Sequence, residues 1–215
     1  MNIGGYQIPK PFELIAGHVA LDLVNTLDNQ FSQDGPNELL ASYDDLLRFV
    51  SQSGLLTVHQ AKQLKCLDAS AAERDQVLRE VKTLRETVSA ITYAQLAGTY
   101  LPASALASLE NYFKQASSHR RLTADQLRPV WTWASLDNEV KAPLWLLAQA
   151  TADFLLSDRS RQVRSCASET CRWLFLDTSK NQTRRWCDMR VCGNRMKARR
   201  FHAARIRGPK GYNIH

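Results

Sequence analysis

The chain has 215 residues, 23% of them charged, and a formal net charge of +7, which leaves room for one sizeable domain and a small second one. Its most apolar stretch, residues 144–156, is too short to span a bilayer and is interrupted by Gln149 and Asp153. The sequence contains no Gly-rich phosphate loop, and its five histidines are scattered without a pair at metal-ligand spacing. We therefore expect neither a membrane protein nor an enzyme.

The first helical pattern lies in residues 18–28, after a segment, residues 11–18, that is compatible with a short strand. Apolar residues recur at helical spacing on one side of this pattern. His18, Asp22 and Asn25 are polar residues of the same segment. They either line a ligand pocket or tie the helix to a neighbouring loop through hydrogen bonds, and we favour the second interpretation.

Further helices follow with recognisable start signals. Ser42 and Thr57 are typical N-cap residues, and a long helix is predicted over residues 71–96. Pro102 begins the next helix, and Pro143 opens the last one. Because that last helix is apolar on nearly all sides, we expect it to be the central and most buried element.

Between these last two helices, residues 120–123 and 130–133 predict a short β-hairpin. The pattern as a whole predicts a mainly α fold, with about six helices around one core. We assign residues 1–158 to this helical domain. Since its apolar stripes are sufficient for a core of its own, we expect it to fold without the remainder of the chain.

Four of the five cysteines form two close pairs, Cys166-x4-Cys171 and Cys187-x4-Cys192, separated by fifteen residues. This spacing predicts a tetrahedral site of four thiolates for one zinc ion per chain. Two disulfides or four unrelated buried thiols are the alternatives. Cys66 makes the number of cysteines odd and no secretory signal is visible, which favours a reducing cytoplasm and therefore zinc. Four thiolates close the coordination shell, so we expect a structural ion without a catalytic role.

The residues around the cysteines predict the order of a treble-clef-type zinc finger. Residues 173–176 favour a strand, residues 178–181 a turn, and residues 184–187 a returning strand. A helical pattern free of proline and glycine then extends over residues 194–206. We therefore predict a small module in residues 159–215, with a short β-hairpin and a basic C-terminal helix.

The same residues match a known family. The run Cys-x4-Cys-x3-Phe-x-Asp-x-Ser, followed by Arg-Arg-Trp-Cys-x-Met-x2-Cys-Gly-Asn-Arg-x-Lys, resembles the CGNR zinc finger. That finger ends bacterial proteins whose larger N-terminal part is the ABATE domain, and Ala-Leu-Asp-Leu-Val-Asn-Thr at residues 20–26 is similar to the start of that domain. The resemblance implies a stress-induced transcriptional regulator, with RNA binding as a second suggestion.

The charge is distributed unevenly along the chain. Residues 159–215 contain 15 Lys or Arg against 3 acidic residues, whereas the first 158 residues carry a net charge of −5. A basic module on a mildly acidic body is typical of a protein that binds a phosphate backbone. The predicted phosphate contacts are basic residues of the module: Arg184, Arg185, Lys197, Arg199, Arg200, Arg205 and Arg207.

Other polar residues of the module have a predicted structural role. Asp177 and Ser179 are expected to brace the turn after the first strand, and Asp177 to pair with Arg184 or Arg185. Arg195 is expected to form a hydrogen bond inside the module, near Cys192.

Together these features predict a zinc-dependent DNA-binding transcriptional regulator in the cytoplasm. Its helical domain would dimerise or sense a small-molecule effector. RNA binding is an alternative, in which Trp173, Trp186 or Phe201 would be exposed for base stacking. A protein-interaction module that docks on an acidic partner is the other alternative.

Overall fold

The computed structural model describes residues 10–33 and 35–206, with residues 200 and 202–206 described by their backbone alone. In this part of the chain the protein is mainly α-helical, as predicted: six helices precede residue 158 and one follows it. The helices are α1 (Val19–Asn25), α2 (Tyr43–Gln52), α3 (Val58–Cys66), α4 (Ala71–Ala97), α5 (Ala103–Ser118), α6 (Ala142–Leu156) and α7 (Asn194–Ile206). None of the described helices is both long and apolar enough to cross a membrane.

Side-chain caps explain where three helices begin. The side chains of the predicted caps Ser42 and Thr57 each accept a hydrogen bond from the backbone N–H three residues later. In return, the backbone N–H of each cap donates to the side chain of that later residue, which completes a capping box. Ser70 caps α4 in the same way. This helix ends at Gly98, whose φ of +65° lies in the left-handed region that glycine adopts without steric cost.

Three antiparallel pairs of short strands connect the helices: β1 (Leu27–Asp28) with β2 (Asn37–Glu38), β3 (Arg120–Asp125) with β4 (Arg128–Trp133), and β5 (Val163–Ser165) with β6 (Leu174–Leu176). The second pair confirms the hairpin predicted between α5 and α6. The strand considered for residues 11–18 is absent from the described residues of that segment, which are non-helical and form no strand ladder.

The hairpin of the metal module differs from the prediction. Residues 174–176 form a strand, but residues 184–187 do not return beside it. The partner is instead β5, which comes before the first cysteine, and Val163 lies opposite Leu176 in the register. Both faces of β6 are buried, Leu174 and Leu176 in the core of the body and Phe175 against the cysteine cluster.

Helix α6 is the centre of the body, as predicted, because eleven of its fifteen residues are buried. Helix α1 packs against α4 and α6 and, on a further side, against β6. Residues 20–25 of α1 are all buried in consequence. This short helix is therefore the element through which the body contacts the metal module.

The apolar core continues from the body into the module. Val163, Leu174 and Leu176 belong to the same buried cluster as the apolar residues of α1 and α6. At the contact, the backbone of Gly17 packs so closely that a Cβ there would lie 3.3 Å from the Cβ of Leu176. The core is thus not confined to residues 1–158, contrary to the expectation of a core that the helical domain owns alone.

Candidate metal centre and basic surface

The loop between β5 and β6 holds the first cysteine pair. The N–H of Cys166 donates to the carbonyl of Trp173 over 2.8 Å, which extends the strand ladder by one step. The N–H groups of Cys171 and Arg172 both donate to the carbonyl of Ser168 over 3.1 Å. Arg172 adopts a positive φ of 52° in this turn. The result is a tight knuckle that turns both thiols to the same side.

The second pair is positioned by a single wide helical turn, Met189–Gly193, that leads into α7. The carboxylate of Asp188 caps this turn by accepting hydrogen bonds from the N–H groups of Arg190 and Val191, over 2.5 and 3.1 Å. At Gly193 a Cβ would lie closer to the sulfur of Met189 than van der Waals contact allows, so a larger residue here would force that side chain to move. Cys192 therefore lies within this turn, two residues before α7 begins.

The four sulfurs of Cys166, Cys171, Cys187 and Cys192 lie within 4.8 Å of one another, and all four residues are buried. The Sγ atoms of Cys171 and Cys192 are each 3.6 Å from that of Cys187. A zinc–sulfur bond of about 2.3 Å gives a tetrahedron with edges of about 3.8 Å, so the observed spacing fits zinc. No disulfide joins any of the five cysteines, which are all described. The cluster is a site for one structural zinc ion, as the spacing predicted.

The four thiols also shift one another's pKa values through their mutual hydrogen bonds. Hydrogen bonds from Cys171 and Cys187 lower the pKa of the Cys166 thiol. The bond to Cys166 raises the pKa of Cys171 and of Cys187, while burial raises that of Cys192. A divalent ion allows all four to ionise, so metal binding and folding of the module are linked.

Asp177 and Ser179 brace the following turn, as expected. The buried carboxylate of Asp177 accepts hydrogen bonds from the hydroxyl and the N–H of Ser179 and from the N–H of Arg184, over 2.5, 3.0 and 2.9 Å. These contacts, the Ser179 hydroxyl first, lower the pKa of Asp177. The carboxylate thus binds the backbone of Arg184, whereas the prediction had paired it with an arginine side chain.

The guanidinium of Arg184 is engaged within the module. It donates to the carbonyls of Trp186 and Cys187, and it lies 4.5 Å from the centre of the Phe175 ring. These contacts fix the chain on the N-terminal side of the third zinc ligand. Arg184 was predicted to contact phosphate, and the structure gives its donors intramolecular acceptors.

The other predicted phosphate contacts are distributed as follows. Arg185 is exposed beside the ring of Trp186, and Lys197 and Arg199 are exposed on α7. Three further predicted contacts, the side chains of Arg200 and Arg205 and the whole of Arg207, lie outside the described residues. The structure therefore gives a location to four exposed cations of the predicted set, of which Arg184 is hydrogen-bonded within the module.

Arg195 differs from its predicted role. It was expected to form a hydrogen bond near Cys192, but its side chain is exposed and makes no hydrogen bond or ion pair with the described residues. It follows the last zinc ligand by three residues, in the first turn of α7.

His18 lies apart from Asp22 and Asn25, and the cavity that these two share has a volume of only about 10 Å³. The imidazole of His18 caps the helix by accepting the N–H of Ala20, and it stacks on Phe154 at 4.3 Å. The carboxylate of Asp22 accepts the N–H of Ala16 over 3.0 Å. Asn25 faces the module. All three side chains hold backbone or pack against the core, in agreement with the favoured interpretation from the sequence.

Asn25 joins the body to the metal module directly. Its side-chain amide donates to the carbonyl of Leu174 and accepts the N–H of the same residue, both over 2.9 Å. Because β6 pairs with β5 on one edge, Asn25 satisfies the backbone of its other edge. The buried side chain of Asn25 thus forms the two backbone hydrogen bonds that a neighbouring strand would otherwise form with Leu174.

Two further contacts across this boundary were missed from the sequence. Asp28 accepts the indole N–H of Trp173 over 2.9 Å, and the hydroxyl of Tyr93 donates to the carbonyl of Arg172 over 2.9 Å. The partners are 145 and 79 residues apart in the chain. No periodicity or local spacing relates residues at such distances, and so no sequence signal was available.

Comparison with known protein families agrees with this arrangement. The model of the ABATE family, described as "Putative stress-induced transcription regulator", matches residues 17–158. The model of the CGNR zinc finger matches residues 162–205. Neither description names an enzymatic activity. No curated protein matches the chain significantly in sequence.

Proposed function

The chain belongs to the ABATE family and carries a CGNR zinc finger, and from this premise we propose that it is a zinc-dependent, DNA-binding transcriptional regulator of the stress response. Residues 159–215 bind the phosphate backbone of DNA, and residues 1–158 sense an effector or form a dimer. The odd cysteine, Cys66, is exposed and free, which is consistent with a cytoplasmic location.

The observation that carries this proposal is the basic helix fixed to the metal site. Helix α7 contains five Lys or Arg residues and no acidic residue. It begins two residues after Cys192, so the ion and its ligands set the position of its first turn. A rigidly placed cationic helix is suited to a polyanion, because each phosphate it neutralises releases a condensed counterion.

We assign the contacts to six of the seven basic residues predicted from the sequence. Arg185, Lys197 and Arg199 are the described members of this set, and Arg200, Arg205 and Arg207 complete it from the sequence. In this proposal Arg184 braces the module through its two carbonyl contacts and binds no phosphate.

The surroundings of the aromatic rings favour DNA over base stacking on RNA. Trp173 is only 9% exposed and donates its indole N–H to Asp28. Trp186 is half-buried and packs against the cysteine cluster. Phe201 is 60% exposed, and one ring is a smaller stacking surface than RNA-binding sheets provide.

The test is the salt dependence of binding to duplex DNA. We compare the parent chain with the triple variant Lys197→Gln, Arg199→Gln, Arg200→Gln by fluorescence anisotropy at several salt concentrations. Since each phosphate contact contributes about 0.9 to the slope of log K against log salt, the variant should bind more weakly, with a slope flatter by up to about three units.

A matched control removes the same charge elsewhere. The variant Lys62→Gln, Arg121→Gln, Arg128→Gln changes three exposed basic residues of the body and should retain the parental slope. Zinc content and far-ultraviolet circular dichroism should be equal in all three proteins. If the α7 variant binds DNA with parental affinity and slope, this surface is not the DNA site, and an acidic protein partner becomes the better candidate.

A further inference from the structure

A cleft of about 560 Å³ lies where the body meets the metal module. One wall is the segment 10–15 with Arg48 of α2, and a second is formed by the β1–β2 region. The third wall belongs to the module and extends from Cys171 to Arg195. Small-molecule sites typically have volumes of about 300–1,000 Å³ and often lie at such boundaries.

The inner surface of the cleft combines apolar and polar groups in about equal measure, and its apolar part is continuous with the core. Phe12, Ile15, Leu39 and Trp173 line it, and Val191 adds an exposed apolar side chain from the module. The one polar group of the Trp173 ring, its indole N–H, is already bonded to Asp28. The ring can therefore contact an apolar ligand without leaving a donor unsatisfied.

The acidic groups of the cleft are already bonded within the protein. Asp28 accepts hydrogen bonds from Trp173 and Asn29, and Asp188 caps the turn that precedes α7. Glu13 pairs with Lys10 at 3.1 Å. Glu13 is therefore paired with a cation, whereas Asp28 and Asp188 are engaged by neutral N–H donors of the protein itself.

Among the cations of the cleft, Arg195 stands apart. Lys10 is paired with Glu13, and Arg48 is paired with Asp45 at 3.1 Å while its guanidinium lies over the ring of Phe12. The guanidinium of Arg195 has neither hydrogen bond nor ion pair among the described residues. Its planar donors fit a carboxylate in a two-point contact, which is stronger and more directional than a single charge contact.

We propose that this cleft binds a small carboxylic acid with an aromatic or branched apolar body, whose carboxylate pairs with Arg195. As the effector site of the regulator proposed above, it deepens that function and rests on it. The apolar floor of the cleft selects the apolar part of the ligand, and the unpaired guanidinium of Arg195 selects its negative charge. Because Arg195 lies in the first turn of α7, occupancy of the cleft is linked to the basic helix, and the linkage is reciprocal between acid and DNA.

The proposal is tested on the zinc-loaded full-length protein with defined probes. Benzoate, phenylacetate and indole-3-acetate are titrated by calorimetry, each against its neutral amide. At least one acid should bind about tenfold or more tightly than its amide. Its addition should shift the indole N–H resonance of Trp173 in a nitrogen–proton correlation spectrum, since that ring lines the cleft.

Substitutions at Arg195 locate the charge contact. Arg195→Gln should weaken the acid about tenfold or more, and Arg195→Lys should retain part of the affinity because it keeps the charge without the two-point geometry. Arg190→Gln is the matched control: Arg190 is exposed on the neighbouring turn and does not line the cleft, so affinity should change less than twofold.

Three results would overturn the cleft as a carboxylate site. They are the absence of binding by all three acids at millimolar concentration, equal binding of acid and amide, and equal losses in the Arg190 and Arg195 variants. Measuring DNA binding with and without the acid separates this proposal from the previous one. Acid binding that depends on Arg195 in a protein without DNA affinity would support the cleft and argue against the DNA function. DNA binding by a protein that binds none of the acids would support the DNA function and argue against the cleft.

Discussion

The helical body and the metal module are stabilised in different ways. The body buries long apolar helices, and α6 alone places eleven residues in the interior. The module has few apolar residues and is organised by four thiols and by polar side chains that bind backbone, such as Asp177, Arg184 and Asp188. A hydrophobic core suits the larger unit, whereas a unit of about forty residues has too little interior and depends on metal.

The two units nevertheless share their boundary, and this contact decides how independent they are. Strand β6 lies in the apolar core of the body, while the loop before it holds the first zinc ligands. The body gains the side chains of Val163, Leu174 and Leu176, and the module gains Asn25 as a partner for its strand. Each unit is therefore incomplete without the other.

Truncation after residue 158 should break this arrangement most severely. It removes Val163, Leu174 and Leu176, which are each at most 3% exposed. Burial of three such side chains contributes about 5–9 kcal/mol, which is comparable with the whole stability of a typical domain. We expect residues 1–158 to lose the near-ultraviolet dichroism and the cooperative thermal transition of the parent.

A truncation after Met196 provides the control. It removes most of α7, whose strongest packing in the described structure is against the turn that precedes it, but retains all four cysteines and β6. This protein should keep its zinc and unfold cooperatively close to the parental temperature. A sharp, native-like transition of residues 1–158 would instead show that the shared core is dispensable.

Loss of one zinc ligand should have the next largest effect. Cys187→Ser removes a thiolate from the shell, and structural zinc contributes on the order of 10 kcal/mol to the folding of such modules. We expect one zinc per parental chain by mass spectrometry and none in the variant, together with a lower thermal stability of the body because β6 loses its anchor. Cys66→Ser should change neither quantity, since Cys66 is exposed and outside the cluster. Zinc retained by the Cys187 variant would argue against the four-thiolate site.

Asn25→Ala isolates the polar contact between the units. The substitution leaves the N–H and the carbonyl of Leu174 buried without a partner, at about 1–3 kcal/mol for each group. Chemical denaturation should therefore show a loss of about 2–6 kcal/mol. Asn111→Ala, an exposed position in α5, should cost less than about 0.5 kcal/mol. Equal stability of the two variants would show that Asn25 does not support β6.

Asp22 gives the boundary a dependence on pH. Its carboxylate holds the N–H of Ala16, whose carbonyl in turn accepts the N–H of Leu176 in β6. Burial raises the pKa of Asp22 from 3.8 to about 6. Between pH 3.8 and about 6, Asp22 is ionised in the unfolded chain but still protonated in the folded one. Asp22 therefore lowers the free energy of unfolding as the pH rises, by about 3 kcal/mol once it is ionised in both states.

Asp22→Asn keeps an acceptor for Ala16 and removes the charge. The variant should be more stable than the parent at pH 7, by up to about 3 kcal/mol, and the difference should disappear near pH 3, where Asp22 is mostly neutral in the folded and in the unfolded chain. Chemical denaturation of both proteins at several pH values up to pH 7 tests the sign of this difference in stability. The exposed control Asp68→Asn should show no comparable difference. A parent that is the more stable protein at pH 7 would contradict the burial of an unpaired carboxylate.

The sequence by itself determined the features that depend on neighbours along the chain. Capping residues such as Ser42 and Thr57 act within one helical turn, and the two cysteines of each pair are only five positions apart, so both features could be identified without a structure. The apolar character of α6 likewise predicted its central position. Local chemistry is sufficient in these cases because the interacting groups are close in sequence.

Only the tertiary structure decided which strands pair and where the units join. The strand at residues 174–176 was predicted, but its partner proved to be β5 and not residues 184–187, because this pairing lets β6 enter the core of the body. Asn25 meets β6 across 149 residues of sequence, and Arg195 and Phe12 reach one cleft from opposite ends of the chain. Contacts at such separations arise from the packing of whole elements, which leaves no periodic or local trace in the sequence.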